Sequence, residues 1–231
     1  MTDIITQLFA PTKTVYTMWV IMALIVLFSV LATRKLKDVP GPLQNVAELA
    51  VNGLIDLFEG VLGREKCRKY FPIFATLFIF IIVCNYSGLL PGAGEAFTVP
   101  TSVLAVTAAL AVIAFFTVHT IGFKTQGFLG YLKSFVTVIL PITILEQFTR
   151  PVSLALRLYG NIYGEEQVTE TLFGMFPILL PLVMQVLSLL FCFIQAMVFT
   201  MLLAVYVDEA TELPEPKEPK KKKTKKAKNA A

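Results

Sequence analysis

From Thr171 to Val207 the chain runs 37 residues without one charged side chain. As a helix that stretch would be ~55 Å long, well beyond the ~30 Å of a bilayer's hydrocarbon core. No water-soluble domain of this size has a use for such an element, so the chain is expected to be an all-α integral membrane protein. The composition agrees. Hydrophobic residues make up 56% and charged residues 16%, against roughly 25% charged in soluble domains.

The charges fall in patches that divide the chain. Residues 15–33 form an uncharged run that can just cross the bilayer, preceded by Asp3 and Lys13 and followed by Arg34, Lys35 and Lys37. That polarity is the reverse of a signal peptide, and it places the N-terminus outside and Arg34 in the cytoplasm. After Pro40-Gly41-Pro42, residues 43–63 alternate on a helical period. Asn45, Glu48, Asn52, Asp56 and Glu59 share one face, while Val46, Ala47, Ala50, Leu54, Leu57, Phe58, Val61 and Leu62 fill the other. This reads as an amphipathic helix lying in the interface. Arg64, Lys66, Arg68 and Lys69 then lead into a second span, 70–90, and the segment Pro91 to Glu95, free of Lys and Arg, belongs outside. A third span, 99–121, ends at His119 and Lys124, with Lys133 on the same side.

Two long stretches remain, 134–164 and 171–207. Each exceeds one perpendicular crossing yet is short for two crossings with a loop, which predicts a long, strongly tilted hairpin, with Pro177 and Pro181 as candidate bends. Five crossings in total put the end of the chain in the cytoplasm. Residues 1–211 thus form one membrane domain. Residues 212–231 are a tail expected to be disordered and cytoplasmic, with eight lysines against three glutamates. The tail's net +5 leaves −1 for the rest of the chain, so no basic fold surface exists for nucleic acid.

One residue breaks the apolar logic. Arg157 lies amid Leu154, Ala155, Leu156 and Leu158, and its guanidinium stays charged at any physiological pH. A cation at bilayer depth costs from a few to over ten kcal/mol, so by default it marks an ion pathway or counter-ion site. On an ideal helix Glu146, Arg150, Ser153, Arg157, Asn161 and Gly164 fall within about 80° of one another. Ser153, Gly160 and Gly164 leave room for a neighbouring helix. Glu166, nine positions on, should face about 180° away. Glu146 and Arg150 have the spacing of a simple surface pair. A second polar stripe, Gln185, Ser188, Cys192 and Gln195, follows the last span, and single amides there can also be interhelical glue. Cys67, Cys84 and Cys192 are too dispersed for a metal site or disulfide framework. With His119 as the one histidine, read as an interfacial cap, no metal or cofactor is expected.

Several functional classes are open to such a chain. A secondary transporter, the main alternative, usually shows two related halves, and no internal repeat is present. A voltage sensor needs a regular arginine series. An intramembrane enzyme needs a nucleophile with its base, or metal ligands.

The segment Arg150-Pro151-Val152-Ser153-Leu154-Ala155-Leu156-Arg157-Leu158-Tyr159-Gly160-Asn161 closely resembles the signature of subunit a of F-type ATP synthases, the membrane stator beside the rotor ring. The resemblance extends to Phe80 through Gly92, Gly122 through Gly127 and Gln195 through Phe199, and spans Val15 to Val207. It implies that Arg157 is the family's essential arginine, facing the c-ring. It further implies a proton pathway of Glu166, Glu165, Asn161, Gln195 and Ser188, with Glu146, Arg150 and Asn85 in support. Two departures stand out. Ser188 occupies the place of a histidine found in many bacterial members, and Tyr159 replaces the usual phenylalanine. The implied function is ion conduction through two offset half-channels that load and unload protons on the ring carboxylates, with no catalysis by this chain alone. The implied partners are the c-ring, b-type peripheral stalk subunits and, through the complex, the soluble F1 ATPase sector, all around the lipid bilayer. The expected location is a bacterial inner membrane, with the chloroplast thylakoid membrane as the alternative.

Overall fold

The computed structural model describes residues 13–34, 41–90, 98–127, 140–175 and 179–211. All the elements are helical: α1 (Lys13–Thr33), α2 (Pro42–Ser87), a short 3-10 turn (Pro100–Ser102), α3 (Leu104–Gln126), α4 (Leu140–Met175) and α5 (Leu179–Thr211). No strand occurs among the described residues. The expected outer loop at 91–95, the bend at Pro177 and the lysine tail lie outside these residues.

Among the described residues four helices are long and apolar enough to cross a membrane: α1, α2, α3 and the part of α5 from Leu182 to Thr211. The fifth expected crossing falls on α4. At 36 residues it has the length, but Glu146, Arg150, Arg157, Glu165, Glu166 and Glu170 remove it from any purely apolar class. The helix runs past Gly164, where the expected span was bounded, to Met175, because one glycine costs a helix only about 1 kcal/mol, too little to end it. Glu165 and Glu166 are therefore helical side chains. Pro181 sits in the first turn of α5, where a missing N–H is tolerated.

The interfacial and spanning segments of α2 are joined, and the joint is Gly63. Its φ of 71° and ψ of 164° interrupt the helix, a combination open essentially to glycine alone. Nothing crowds the position, since an added Cβ would meet no atom within 4 Å. The glycine is there for its backbone. Gly63→Ala is accordingly expected to cost about 1–3 kcal/mol, read as a lower unfolding midpoint in detergent, whereas Gly60→Ala, at a helical and uncrowded position, should leave the midpoint unchanged or raise it slightly. Third in order, α3 begins only at Leu104, after Pro100 and an extended Val103, and ends at Gly127, whose φ is 73°.

The core is built from one ridge of each helix. Leu154, Leu158 and Ile162 recur every fourth residue on α4, and Ala196, Phe199, Leu203 and Val207 do so at three and four on α5. These meet Phe58, Phe74, Phe78 and Ile81 of α2 and Leu110, Ala114 and Val118 of α3. Paired residues fix the direction. Arg150 meets Glu209 and Asn161 meets Gln195, so α4 and α5 are antiparallel. Lys66 meets Asp208 and Asn85 meets the Cys192 carbonyl, so α2 and α5 are antiparallel as well. Much of the outer surface is apolar. On α1, Trp19 is 64% exposed and Ile21 and Ala32 are the buried positions; α5 exposes Leu182, Val183, Val186, Leu189, Leu190 and Phe191. Exposed apolar area on this scale marks a partner or a membrane.

Candidate functional site

The two arginines of α4 lie seven residues apart, only about 20° in helical phase but two turns along the axis. Leu154, Ala155, Leu158 and Ile162 point into the bundle. Arg150 and Asn161 lie at the edge of that buried face and reach across to α5. Arg157 lies just beyond the same edge and is exposed.

Their electrostatic surroundings differ sharply. Arg150 is paired with Glu209 on α5, lies 3.8 Å from Glu146 one turn earlier, and stacks its guanidinium over the Tyr206 ring at 4.8 Å. Two carboxylates and an aromatic face hold that charge in place. Arg157 has no ion pair or hydrogen bond among the described residues. Around it the helix surface is small: Ser153 and Gly160 are exposed, and a Cβ added at Gly160 or Gly164 would meet nothing within 4 Å. Among the described residues nothing packs against these glycines, and Arg157 is a bare cation on a shallow face that no described residue covers.

One turn beyond Arg157, the Asn161 amide donates to the Gln195 side-chain carbonyl. Gln195 is 4% exposed, and its own Nε2 has no partner among the described residues. A further turn along, Glu165 faces Ser188 and Cys192 across the α4–α5 seam. Ser188 is 3% exposed. Asn85, 2% exposed, comes in from α2, donates to the Cys192 carbonyl at 3.3 Å and leaves its Oδ1 unpaired. Beside it, the Tyr86 hydroxyl donates to the Leu189 carbonyl at 3.2 Å. The structure thus gathers Asn161, Glu165, Ser188, Gln195 and Asn85 along one seam between α2, α4 and α5. Glu166 is half-buried and makes no ion pair or hydrogen bond among the described residues. Gln185, grouped with that stripe by spacing, is exposed, because it lies beyond the part of α5 that the other helices cover.

The opposite end of the seam is closed by charges that spacing alone did not pair. Glu146 and Arg150 form a weak i, i+4 pair, but the nearer partner of Arg150 is Glu209. Lys66 binds Asp208 at 2.6 Å, and the Gln126 amide donates to the Ala210 carbonyl at 3.1 Å. The acidic doublet Asp208-Glu209 at the end of an apolar run was the available signal. His119 sits in this region, its Nδ1 2.8 Å from the Phe115 carbonyl and its ring tilted against that of Phe115, with centroids 3.9 Å apart. With Arg150 and Tyr206 it lines a small cavity between α3, α4 and α5. Among the described residues no group of three His, Cys, Asp or Glu side chains could hold a metal ion.

This arrangement can attract one anion to a bare guanidinium and hydrate a polar seam beside it. Comparison with known proteins gives it a setting. Residues 15–208 match the family model described as ATP synthase A chain. ATP synthase subunit a 3 of Pelobacter propionicus is 43% identical over 201 residues, covering 84% of this chain and 85% of the relative. ATP synthase subunit a of Geotalea uraniireducens is 42% identical over the same length and shares. ATP synthase subunit a of Moorella thermoacetica is 41% identical over 198 residues, 84% of this chain and 88% of the relative.

Proposed function

Because this chain belongs to the ATP synthase A chain family, we propose that it is the ion-conducting stator subunit of a rotary ATP synthase, with Arg157 standing between two half-channels. It is a multi-pass membrane protein and a non-catalytic subunit that works within its complex. The observation that carries the finer reading is the contrast between Arg150, held by two carboxylates, and Arg157, exposed and unpaired.

An unpaired arginine in a span is costly, so its counter-charge comes from another subunit. The open face of Ser153, Gly160 and Gly164 is suited to a closely approaching helix. In this reading the approaching helix belongs to the c-ring and carries a carboxylate. The guanidinium favours the ionised form of that carboxylate, which promotes proton release to one side. A guanidinium cannot pass a proton on, so the same residue bars a direct leak between the two aqueous passages. Each charge crossing 100 mV yields about 2.3 kcal/mol, so several must be summed by a rotor to make one ATP.

The outer half-channel runs along the seam of Asn161, Glu165, Ser188, Gln195 and Asn85, with Glu166 at its mouth. Buried polar atoms are normally satisfied by protein or by water. The unpaired Asn85 Oδ1 and Gln195 Nε2 therefore support hydration of this seam. On this reading α4 is the fifth crossing and makes a tilted hairpin with α5. The complex includes b-type stalk subunits and the F1 sector, and the bacterial relatives support a bacterial inner membrane.

Glu166→Gln in the assembled complex is expected to slow ATP-driven proton pumping about tenfold, ~1.4 kcal/mol of barrier, with assembly intact. Glu165→Gln should act in the same direction. Acidification of inverted membrane vesicles, followed with a quenched dye, reads both. Wild-type rates in both variants would remove the acids from the path.

A further inference from the structure

One nucleophilic side chain in the polar seam has no task in the proton path. Cys192 is buried on α5, one helical turn from Ser188 and a little less from Gln195. Its thiol faces the Glu165 carboxylate of α4. From α2, Asn85 holds the Cys192 carbonyl through its amide nitrogen at 3.3 Å, which leaves Oδ1 beside the same residue with no partner among the described residues. Gln195 Nε2 is unpartnered in the same way, and the two residues are only 2% and 4% exposed. Polar atoms buried that deeply are normally satisfied, so this place in the seam calls for an occupant.

The other two cysteines are placed differently. Cys67 has its thiol on the Ile55 carbonyl, near the opposite end of the bundle. Cys84 comes one residue before Asn85 and so lies about 100° round α2. Neither is faced by Glu165. Only at Cys192 do a thiol, a carboxylate and a free amide oxygen come together, one from each of three helices. Magnesium would demand six ligands in near-octahedral array, which this set does not supply. A thiolate is a soft ligand and selects ions of the copper(I) kind, which are content with two or three donors.

We propose that Cys192, with Glu165 and the Asn85 Oδ1, forms a site for a soft monovalent metal ion, copper(I) or silver(I), and that an ion held there plugs the seam. The site rests on the reading of that seam as a hydrated passage. Binding is an exchange of cations: the S–H bond breaks, a sulfur–metal bond forms, and the proton leaves to water. A coordinating thiol is deprotonated outright, so no oxidant or reductant takes part. The bound cation repels an incoming proton and occupies the carboxylate meant to carry it.

Silver nitrate in chloride-free buffer is the probe. The assembled complex is treated in detergent, where both of its sides are open, then reconstituted into liposomes. ATP-driven proton pumping is read for each variant against its own untreated rate. Silver is expected to abolish pumping by the wild type and by Cys84→Ser, and to leave Cys192→Ser at its untreated rate. Glu165→Gln should raise the half-blocking silver concentration about tenfold. Equal block in the wild type and in Cys192→Ser would overturn the proposal, since the ion would then act elsewhere. Peptide mass analysis after methyl methanethiosulfonate, a small water-borne thiol reagent, separates the site from the passage. Modification of Cys192 without a silver block would overturn the metal site and leave the hydrated seam standing. Neither modification nor block would overturn both.

Discussion

Replacing Arg157 with alanine is expected to abolish ATP-driven proton pumping while leaving the complex assembled. The side chain is exposed and touches no partner within the described chain, so its loss opens no cavity and breaks no internal bond. On structural grounds alone the substitution should be nearly neutral, or even favourable, since a charge leaves the bilayer. A null phenotype with normal assembly therefore separates a working residue from a supporting one. Arg157→Lys is a sharper version. It keeps a charge but exchanges the fixed planar fork for a compact ammonium that can lose its proton when desolvated, and it should also fail to couple. The contrasting control is Arg150→Ala. That change strips Glu209 and Glu146 of their partner, so it should act mainly through stability and yield, with residual coupled activity in whatever assembles.

The next largest effect is expected one helical turn away. Gln195→Leu removes the acceptor of the Asn161 amide, which is itself exposed at the edge of the seam. Interhelical hydrogen bonds in membranes average about 0.6 kcal/mol, so the cost to stability should be small. Coupled flux should fall further than stability does, because the same amide is proposed to line the outer half-channel. A double-mutant cycle with Asn161→Leu distinguishes the two contributions. If the residues act as a pair, the double variant should be no worse than either single one, giving an interaction energy of about 0.5–3 kcal/mol. Strict additivity would show that the two amides work independently.

The helices were legible in the sequence because lipid imposes a simple rule on it. An uncharged run such as residues 15–33 or the second half of α5 up to Val207 has one stable fate in a bilayer. The polar seam was legible in part. Asn161, Ser188 and Gln195 stand out because apolar helices do not otherwise contain them, and the structure brings Asn161 to Gln195 and Glu165 to Ser188. What could not be read were contacts between helices far apart in the chain. Lys66 and Asp208 are 142 positions apart, Arg150 and Glu209 are 59 apart, and neither pairing leaves a periodic trace. Local spacing paired Arg150 with Glu146, which the structure shows at 3.8 Å, and packing added Glu209. The span bound at Gly164 marked no helix end, and α4 runs on to Met175, since one glycine is a small cost to a helix, while Gly63 does break its helix through its backbone angles.

The central claim is that Arg157 answers to an acid on a moving neighbour. The most direct measurement is the position of its guanidinium in an image of the assembled complex at side-chain resolution. The account predicts that it points into the interface between this chain and the rotor ring, within about 4 Å of a ring carboxylate in at least one rotary state, the reach of an ion pair. A guanidinium turned toward lipid headgroups or bulk water in every rotary state would contradict it.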